Sequence, residues 1–373
     1  MKSPSIIYRK RILVVPLNWG LGHATRLIPV IRFLKEHGAT ILLGGSPSHL
    51  QIITREITQC EIVDLPYLRI RLAGRTSQIL SGILQSPRFF LTIYREHRQL
   101  KRIIRSKVID LVISDNCYGL WNRHVPSVII CHQVHIKLPG KIKLPEKLIN
   151  TINLRLLSKF DECWIPDLPG KINLAGELSH PEGLKLKHRY TGILSRFSSL
   201  SSENPPGEST GKKKILIILS GPENQRTLFE DLIRRQLEQL PGEYVYTVVR
   251  GLPASSEPED HIWFNHLDPA QLKDHIRHAD LIICRAGYST IMDLVSLGRS
   301  AVLVPTPGQS EQEYLASSLA EKGFFINLKQ DEFTFQKALT LSQKSGWTQD
   351  TLRLEVSKVR FQEQISSYFS KVK

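Results

Sequence analysis

The chain has 373 residues, of which 41% are hydrophobic, 23% charged and 8% aromatic, with a formal net charge of +15. This length fits about two domains, and the composition excludes a disordered or collagen-like chain. No apolar run approaches the ~20 residues that cross a bilayer. The short apolar stretch near the N-terminus follows basic residues and leads into a glycine loop, so we expect neither a membrane span nor a signal peptide.

The strands predicted along the chain fall into two similar groups. Buried strands at Ile12–Leu17 and Ile215–Gly221 are rich in Ile, Val and Leu without alternation, as is typical of parallel strands covered on both faces. Each leads into a turn, a helical pattern and a further strand. The later strands are predicted at Leu111–Ser114, Ser127–His132, Asp280–Arg285 and Ser300–Thr306. This order predicts two doubly wound α/β domains.

The boundary between the two groups shows in both composition and charge. Residues 197–214 are rich in Ser and Pro and predict a linker between an N-terminal domain at 1–196 and a C-terminal domain at 215–347. An amphipathic helix is predicted at 348–373. The first 196 residues hold 30 Lys and Arg against 13 Asp and Glu, whereas the rest hold 20 against 22. The excess positive charge of the first domain predicts a polyanionic partner.

The five cysteines include no CxxC pair. Their number and spacing fit neither a disulfide framework nor a zinc site. We therefore expect buried thiols in a protein of the reducing cytoplasm, and we expect no metal site.

The loop NWGLGHATR, Asn18–Arg26, joins the first strand to the first helix. Gly20 and Gly22 permit a tight turn, but the dinucleotide fingerprint is incomplete, so NAD binding is not expected. His23 lies at the helix N-terminus, where the neutral imidazole is favoured and can accept a proton. Asp115 follows a neighbouring strand and could stabilise the protonated imidazole. A locally packed histidine and a helix-capping aspartate are the alternatives.

The stretch CRAGYSTIMDL, Cys284–Leu294, places a second strand-to-helix turn in the C-terminal domain. Its hydroxyl and backbone N–H groups would face a phosphate at the helix N-terminus. The strand ends at Arg285, Gly287 permits the turn, and Ser289 and Thr290 begin the helix. Asp293 lies one turn into the helix, where a carboxylate can accept hydrogen bonds from ribose. A surface helix with routine caps is the alternative.

The loop GLGHATR, the block CRAGYSTIMDLVSLGRSAVLVPTPG and the following SEQEYLAS resemble glycosyltransferase family 28. This GT-B group includes the lipid-linked N-acetylglucosamine transferase of peptidoglycan synthesis. The resemblance runs from Ile12 to near Gly323. It implies a GT-B fold, with two Rossmann-like doubly wound domains facing a cleft and the C-terminal helix packing back toward the N-terminal domain.

The resemblance also implies roles for matched residues. Gly20, Gly22 and His23 would lie at the acceptor and donor phosphates. Arg196 would belong to the same acceptor and phosphate site. The residues implied to bind the donor are Ser220, Gly221, Arg285, Gly287, Ser289, Thr290, Asp293, Gln312 and Glu313. The sequence departs from the family at three positions. Glu313 stands in place of one of the family's paired glutamines, and His132 stands where the family has a glutamate. The second phosphate loop, which contains Ser220 and Gly221, has a single glycine.

The pairing of His23 with Asp115 is similar to the catalytic pair of plant and macrolide-type UDP-sugar transferases, whose base deprotonates an acceptor hydroxyl. These resemblances imply a metal-independent, inverting transfer of a UDP-linked sugar such as N-acetylglucosamine to a lipid-linked or saccharide acceptor. The UDP-sugar is a co-substrate, and no other cofactor is implied. Two alternatives stay open: a UDP-sugar hydrolase of the same fold, and a non-catalytic subunit that binds nucleotide sugar or membrane.

The segment Leu68–Lys107 holds ten Lys and Arg against one acidic residue, interleaved with apolar side chains. Such a segment can lie at an anionic membrane surface, where each basic residue contributes about 1 kcal/mol of attraction. A pair of core helices with a solvated charged face is the alternative. Together with the family resemblance, this pattern predicts a peripheral protein at the cytoplasmic face of the cell membrane. The lack of an aromatic recognition motif argues against nucleic acid.

Overall fold

A computed structural model describes residues 6–18, 20–65, 86–138, 143–198, 211–221, 223–239, 242–252, 262–344 and 349–371. The described chain divides into two units: one contains the residues up to Ser195 and the tail from Glu355, and the other runs from Arg196 to Leu354. Residues 199–210 of the predicted linker and 68–85 of the basic segment lie outside the described residues. No helix of the described part is long and apolar enough to cross a membrane.

The first unit is built on a parallel sheet. Its strands are β1 (Arg11–Pro16), β2 (Thr40–Gly44), β3 (Glu61–Val63), β4 (Leu111–Asp115), β5 (Ser127–Ile130), β6 (Glu162–Ile165) and β7 (His188–Tyr190). Their order across the sheet is β3-β2-β1-β4-β5-β6-β7. Its helices before the tail are α1 (Gly22–Glu36), α2 (Pro47–Glu56), α3 (Ser86–Ser106) and α4 (Lys143–Leu157), with a 3-10 turn at Gly176–Leu178.

The strand order of the first sheet reverses between β1 and β4. The middle of β1 is buried on both faces, as its unbroken run of Ile, Leu and Val predicts. Pro16 at the end of β1 lies in register with Asp115 at the end of β4. The loops that follow these two strands therefore open side by side at the carboxyl edge, where doubly wound sheets bind ligands.

The second unit has the same design. Its strands are β8 (Lys213–Ile218), β9 (Tyr244–Val249), β10 (Trp263–Phe264), β11 (Leu281–Cys284), β12 (Val302–Leu303) and β13 (Ile326–Asn327), in the parallel order β10-β9-β8-β11-β12-β13. Its helices are α5 (Gln225–Leu237), α6 (Pro269–His278), α7 (Tyr288–Ser296), α8 (Ser310–Glu321) and α9 (Phe335–Lys344), with a 3-10 turn at Gln330–Glu332. The prediction of two doubly wound α/β units is confirmed.

The tail forms two helices, α10 (Gln349–Lys358) and α11 (Phe361–Lys371), where the sequence predicted one. The break lies where Val359 packs against Gly192, whose φ is +76° and at which a Cβ would lie 2.5 Å from the carbonyl oxygen of Val359. Helix α11 is anchored in the first unit, since the rings of Tyr368 and Trp164 lie 5.2 Å apart. The break therefore lets the last helix follow the core of that unit.

Candidate functional site

The topology of the first sheet brings His23 and Asp115 together. His23 is in the first turn of α1, and Asp115 is the last residue of β4. Nδ1 of His23 lies 3.2 Å from Oδ2 of Asp115. The Asp115 side chain is fully buried, whereas the His23 side chain is 16% exposed. The pair therefore has one buried carboxylate and one imidazole that a ligand can reach.

Arg26, one helical turn after His23, contacts both residues and was not predicted from the sequence. Its Nε donates to Oδ2 of Asp115 at 2.7 Å, and its Nη2 donates to Oδ1 of the same carboxylate. Nη2 also lies 2.8 Å from Nδ1 of His23, and Nη1 lies 3.2 Å from Nδ1 of His132. Arg26 is 2% exposed. A buried guanidinium is thus the centre of the cluster.

The charges of this cluster set its protonation. Burial lowers the pKa of His23, and the guanidinium of Arg26 lowers it further, against the opposing effect of Asp115. Burial alone would raise the pKa of Asp115, but Arg26 and His23 outweigh it and lower that pKa to about 2. At neutral pH the site therefore holds a neutral imidazole beside an arginine–aspartate ion pair.

A second histidine holds the glycine loop in place. His49 of α2 is buried, and its Nε2 donates to the carbonyl oxygen of Gly20 at 2.9 Å. Its Nδ1 accepts a hydrogen bond from Oγ of Ser46 at 2.6 Å. Gly20 has a φ of +67°, which favours glycine, and Gly22 begins α1. His49 was not singled out from the sequence, because its contact with the loop depends on where α2 packs.

Helix α3 holds the loop that follows Asp115. The N–H of Gly119 donates to Oε2 of Glu96 at 3.0 Å, and Nδ1 of His97 donates to the carbonyl oxygen of Gly119 at 3.2 Å. Burial raises the pKa of Glu96 to about 7, although the Gly119 N–H acts against this shift. Helix α3 of the basic segment is therefore joined to the loop after Asp115 through one residue, Gly119.

The second unit directs three helix N-termini to the carboxyl edge of its sheet. Helices α5, α7 and α8 follow β8, β11 and β12, which are adjacent strands. Gly287 caps α7, and Ser289 and Thr290 lie half-buried in its first turn. Ser220 and Gly221 lie in the loop before α5. The positive ends of these helices make this edge suited to an anion such as a diphosphate.

Arg285, which the resemblance places by a diphosphate, lies inside the second unit. It is fully buried, and its Nη1 donates to the carbonyl oxygens of Val304 and Pro305 at 3.1 and 3.2 Å. Its Nη2 donates to the carbonyl oxygen of Gln225 at 3.1 Å. The guanidinium also stacks 4.1 Å from the centre of the Phe229 ring. Arg285 therefore connects the loop after β12 to the start of α5 by hydrogen bonds.

Arg196 and Asp293, predicted to contact different ligands, lie together at the start and middle of the second unit. Nε of Arg196 lies 3.3 Å from Oδ2 of Asp293. The guanidinium of Arg196 also lies 5.1 Å from the centre of the Phe197 ring. This pair holds the Asp293 carboxylate in one orientation.

Gln312 and Glu313 both bond to the loop before α8. Oε1 of Gln312 accepts the N–H of Thr306 at 2.9 Å, and Oε1 of Glu313 accepts the N–H of Gly308 at 2.8 Å. The remaining amide and carboxylate atoms are the ones that could bind sugar hydroxyls. Among the residues that the structure describes, no three His, Cys, Asp or Glu side chains gather as a metal site would require.

Sequence comparisons relate the chain to glycosyltransferases. The model of the glycosyltransferase family 28 C-terminal domain matches residues 253–361. An uncharacterized glycosyltransferase of Methanosarcina mazei is 24% identical over 341 residues, covering 84% of each chain. The UDP-N-acetylglucosamine--N-acetylmuramyl-(pentapeptide) pyrophosphoryl-undecaprenol N-acetylglucosamine transferase of Pasteurella multocida is 22% identical over 350 residues, covering 89% of this chain and 88% of that protein. The chain is a family 28-like glycosyltransferase.

Solved structures share the fold of this glycosyltransferase over nearly its whole length. The glycosyltransferase of kitacinnamycin has a TM-score of 0.67 at 15% identity and covers 97% of this chain and 99% of its own. The spinosyn rhamnosyltransferase SpnG complexed with thymidine diphosphate has a TM-score of 0.63 at 16% identity, with 96% and 99% covered. The predicted GT-B fold is confirmed.

The position of His23 allows this glycosyltransferase two kinds of chemistry. If Nδ1 of His23 carries the proton and donates it to Asp115, Nε2 has a lone pair and can act as a general base. If Nδ1 accepts from Arg26, Nε2 carries the proton and can donate to a phosphate oxygen. The tautomer of one imidazole therefore decides between a base and a hydrogen-bond donor.

Proposed function

We propose that this glycosyltransferase moves a sugar from a UDP-linked donor to a lipid-linked or saccharide acceptor at an anionic membrane surface. The observation that carries the proposal is the 3.2 Å pairing of His23 with Asp115 at the carboxyl edge of a parallel sheet. The name of the Pasteurella multocida relative specifies a UDP-N-acetylglucosamine donor and an undecaprenol-linked acceptor, which supports the same classes here.

The second unit supplies the features that a nucleotide diphosphate needs. The N-termini of α5, α7 and α8 would hold the diphosphate, with Ser289 and Thr290 offering hydroxyl groups. Asp293 would bind ribose hydroxyls, and Gln312 with Glu313 would bind the sugar. Fixed N–H dipoles can carry the charge of the leaving diphosphate, so the proposed reaction needs no metal ion.

The proposed reaction is a single displacement with inversion. The oxygen of the acceptor hydroxyl forms a bond to the anomeric carbon while the bond from that carbon to the diphosphate oxygen breaks. The electron pair of the broken bond leaves on the diphosphate, and the proton of the hydroxyl is released. His23 acts at this step, either on the hydroxyl proton or on a phosphate oxygen.

Helix α3 supports a membrane-bound acceptor. Phe90, Leu91 and Tyr94 are 48%, 45% and 61% exposed. Six exposed basic residues share this helix: Arg88, Arg95, Arg98, Lys101, Arg102 and Arg105. Apolar side chains among basic ones fit the boundary of an anionic bilayer. We therefore propose a peripheral position at the cytoplasmic face of the cell membrane.

The proposal is tested by measuring nucleotide release from a panel of UDP- and other nucleotide sugars, with and without total lipid extract. His23→Ala is compared with His124→Ala, which changes an exposed histidine of the same unit. We expect release that requires lipid, is lost in His23→Ala and persists in His124→Ala. Equal release without lipid would favour the hydrolase, and nucleotide binding without release from any donor would favour a binding subunit.

A further inference from the structure

We propose that Arg26 is a positioning residue of the transfer reaction, which fixes the Asp115 carboxylate and cancels its charge so that His23 enters the reaction unprotonated. The effect on transfer rests on the proposed function, with His23 acting on the hydroxyl proton. The effect of Arg26 on the protonation of His23 follows from contacts within the first unit alone.

Arg26 holds Asp115 by both carboxylate oxygens. Its Nε donates to Oδ2 at 2.7 Å, and its Nη2 donates to Oδ1. The side chains of Arg26 and Asp115 are 2% and 0% exposed, so solvent screens this ion pair little. Two N–H···O bonds from one planar guanidinium fix the plane of the carboxylate as well as its position. Asp115 therefore has one orientation toward α1.

The same guanidinium connects three elements around His23. Arg26 follows His23 by three residues on α1, a spacing that puts both side chains on one face of the helix. Asp115 ends β4, and His132 follows β5, the next strand of the sheet. Nη1 of Arg26 lies 3.2 Å from Nδ1 of His132, and Nη2 lies 2.8 Å from Nδ1 of His23. Arg26 is therefore the side chain that contacts the other three.

The charges that face His23 cancel without a proton on its ring. Arg26, on the same helix, contributes one positive charge, and Asp115 on β4 contributes one negative charge. His132, after β5, and His49, on α2, add no negative charge. A protonated His23 would therefore give this buried cluster a net positive charge, which is unfavourable away from water. Burial and Arg26 both lower the pKa of His23, against the opposing effect of Asp115.

Arg26 changes what a carboxylate usually does for a neighbouring histidine. A carboxylate 3.2 Å from an imidazole favours the protonated ring when no other charge is present, and this is the role expected for Asp115 from the sequence. Here the charge of Asp115 is already balanced by Arg26. A histidine can accept a hydroxyl proton only if it is not already protonated. Arg26 therefore extends to lower pH the range in which His23 can act on the acceptor.

The protonation of His23 is measured as a function of pH by two-dimensional ¹H–¹⁵N NMR of the full chain labelled with ¹⁵N-histidine, with the His23 signals assigned from His23→Gln. We expect a titration midpoint below the ordinary value of 6.5 in the wild type. Arg26→Gln removes the charge but keeps hydrogen-bond donors, so we expect the midpoint to rise by about one pH unit or more. A wild-type midpoint at or above 6.5, or no rise in Arg26→Gln, would overturn the proposal whether or not the protein transfers sugar.

Two further arginine variants separate the charge of Arg26 from other effects. Arg26→Lys keeps the charge, so its His23 midpoint should stay below 6.5, and a higher midpoint would overturn the proposal even if Arg26→Gln does not fold. Arg32→Gln is the matched control, since Arg32 lies on the same helix and its Nη2 is 3.4 Å from Oε2 of Glu56. We expect no change at His23 in this control. An equal rise in Arg32→Gln would overturn the specific role of Arg26.

The pH dependence of kcat with lipid extract gives the second readout. We expect Arg26→Gln to lose turnover at neutral pH and to recover part of it at alkaline pH, because His23 then loses its proton. The acid limb of its pH–rate profile should move up by about one pH unit or more, as the NMR midpoint does. A defect of structure alone lowers kcat equally at every pH, and that result would overturn the proposal.

Arg26→Lys tests whether the two-oxygen contact matters beyond the charge. One ammonium cannot reproduce the planar fork of a guanidinium, so we expect kcat to fall by about tenfold with an unshifted acid limb and an unchanged KM for the donor. Wild-type kcat in Arg26→Lys would overturn the positioning of Asp115 by the guanidinium. The expected NMR midpoints in a protein without transferase activity would support the effect of Arg26 on His23 and refute only the proposed function.

Discussion

The guanidinium of Arg196 lies against the carboxylate of Asp293, with 3.3 Å between Nε and Oδ2, and both side chains are nearly buried. A carboxylate held in this way has one oxygen oriented by arginine and further lone pairs for ribose hydroxyls. The contact therefore joins Arg196, the first residue of the second unit, to the proposed nucleotide site of the same unit.

Asp293→Asn is expected to weaken UDP binding by about tenfold or more, because hydrogen bonds to a charged group contribute about 1.5–3 kcal/mol. Arg196→Gln should weaken it less, by about threefold, since it removes only the orienting contact. Isothermal titration calorimetry with UDP measures both. Asp274→Asn, at a half-exposed carboxylate of α6, is the control. Wild-type affinity in Asp293→Asn would contradict a ribose contact at this residue.

Glu96→Gln is expected to make stability less dependent on pH. The pKa of Glu96 in the folded protein is about 7, above its ordinary value of 4.5, so the neutral acid favours folding. The contribution of Glu96 to the free energy of unfolding is fully present below pH 4.5 and is lost as the pH rises through 7. At pH 8.5 the buried carboxylate is ionised and lowers the free energy of unfolding by up to about 3 kcal/mol. This figure follows from the difference between a pKa of about 7 and the ordinary 4.5, at about 1.4 kcal/mol for each pKa unit.

The glutamine keeps an acceptor for the Gly119 N–H without the charge. We therefore expect Glu96→Gln to be more stable than the wild type at pH 8.5 and equally stable at pH 4, as measured by urea unfolding. Glu182→Gln changes an exposed carboxylate and should leave both values unchanged. A variant that is less stable than the wild type at pH 8.5 would refute the raised pKa.

Arg285→Ala is expected to lower the free energy of unfolding by about 3 kcal/mol, because three carbonyl oxygens, two of them in buried contacts, lose this donor. The effect should appear in urea unfolding, with Arg353→Ala, a change at a more exposed arginine, as the control. Under conditions where the variant is folded, its affinity for UDP should stay within about threefold of wild type. Unchanged stability together with a large loss of UDP affinity would contradict this structural role and would support the diphosphate role predicted from the sequence.

The triple variant Phe90→Ser, Leu91→Ser and Tyr94→Ser is expected to bind anionic vesicles at least about tenfold more weakly, because half-exposed apolar side chains contribute about 1 kcal/mol or more each when they enter a bilayer boundary. Co-sedimentation with vesicles of phosphatidylglycerol and phosphatidylcholine measures this. Leu228→Ser, at an exposed apolar residue of the second unit, is the control. Equal binding by the triple variant and the control would show that this face of α3 does not contact the membrane.

The strand pattern and the His23–Asp115 pair could be predicted because both depend on local sequence and on one topological rule. A run of buried aliphatic residues marks a parallel strand, and loops after neighbouring strands share an edge. The role of Arg26 could not be predicted, since a buried arginine has the same sequence signal as an exposed one. The contacts of Arg285 could not be predicted for the same reason: the carbonyl groups that accept from it are distant in sequence, at positions 225, 304 and 305.

The transfer itself is tested most directly with a nucleotide sugar labelled in the sugar ring, incubated with the full-length protein and total lipid extract. Label in the organic phase and UDP in the aqueous phase are counted in the same reaction. We expect one labelled sugar in the lipid phase for each UDP released, and neither product in His23→Ala. Release of UDP with all the label left in water as free sugar would contradict it and would identify a hydrolase.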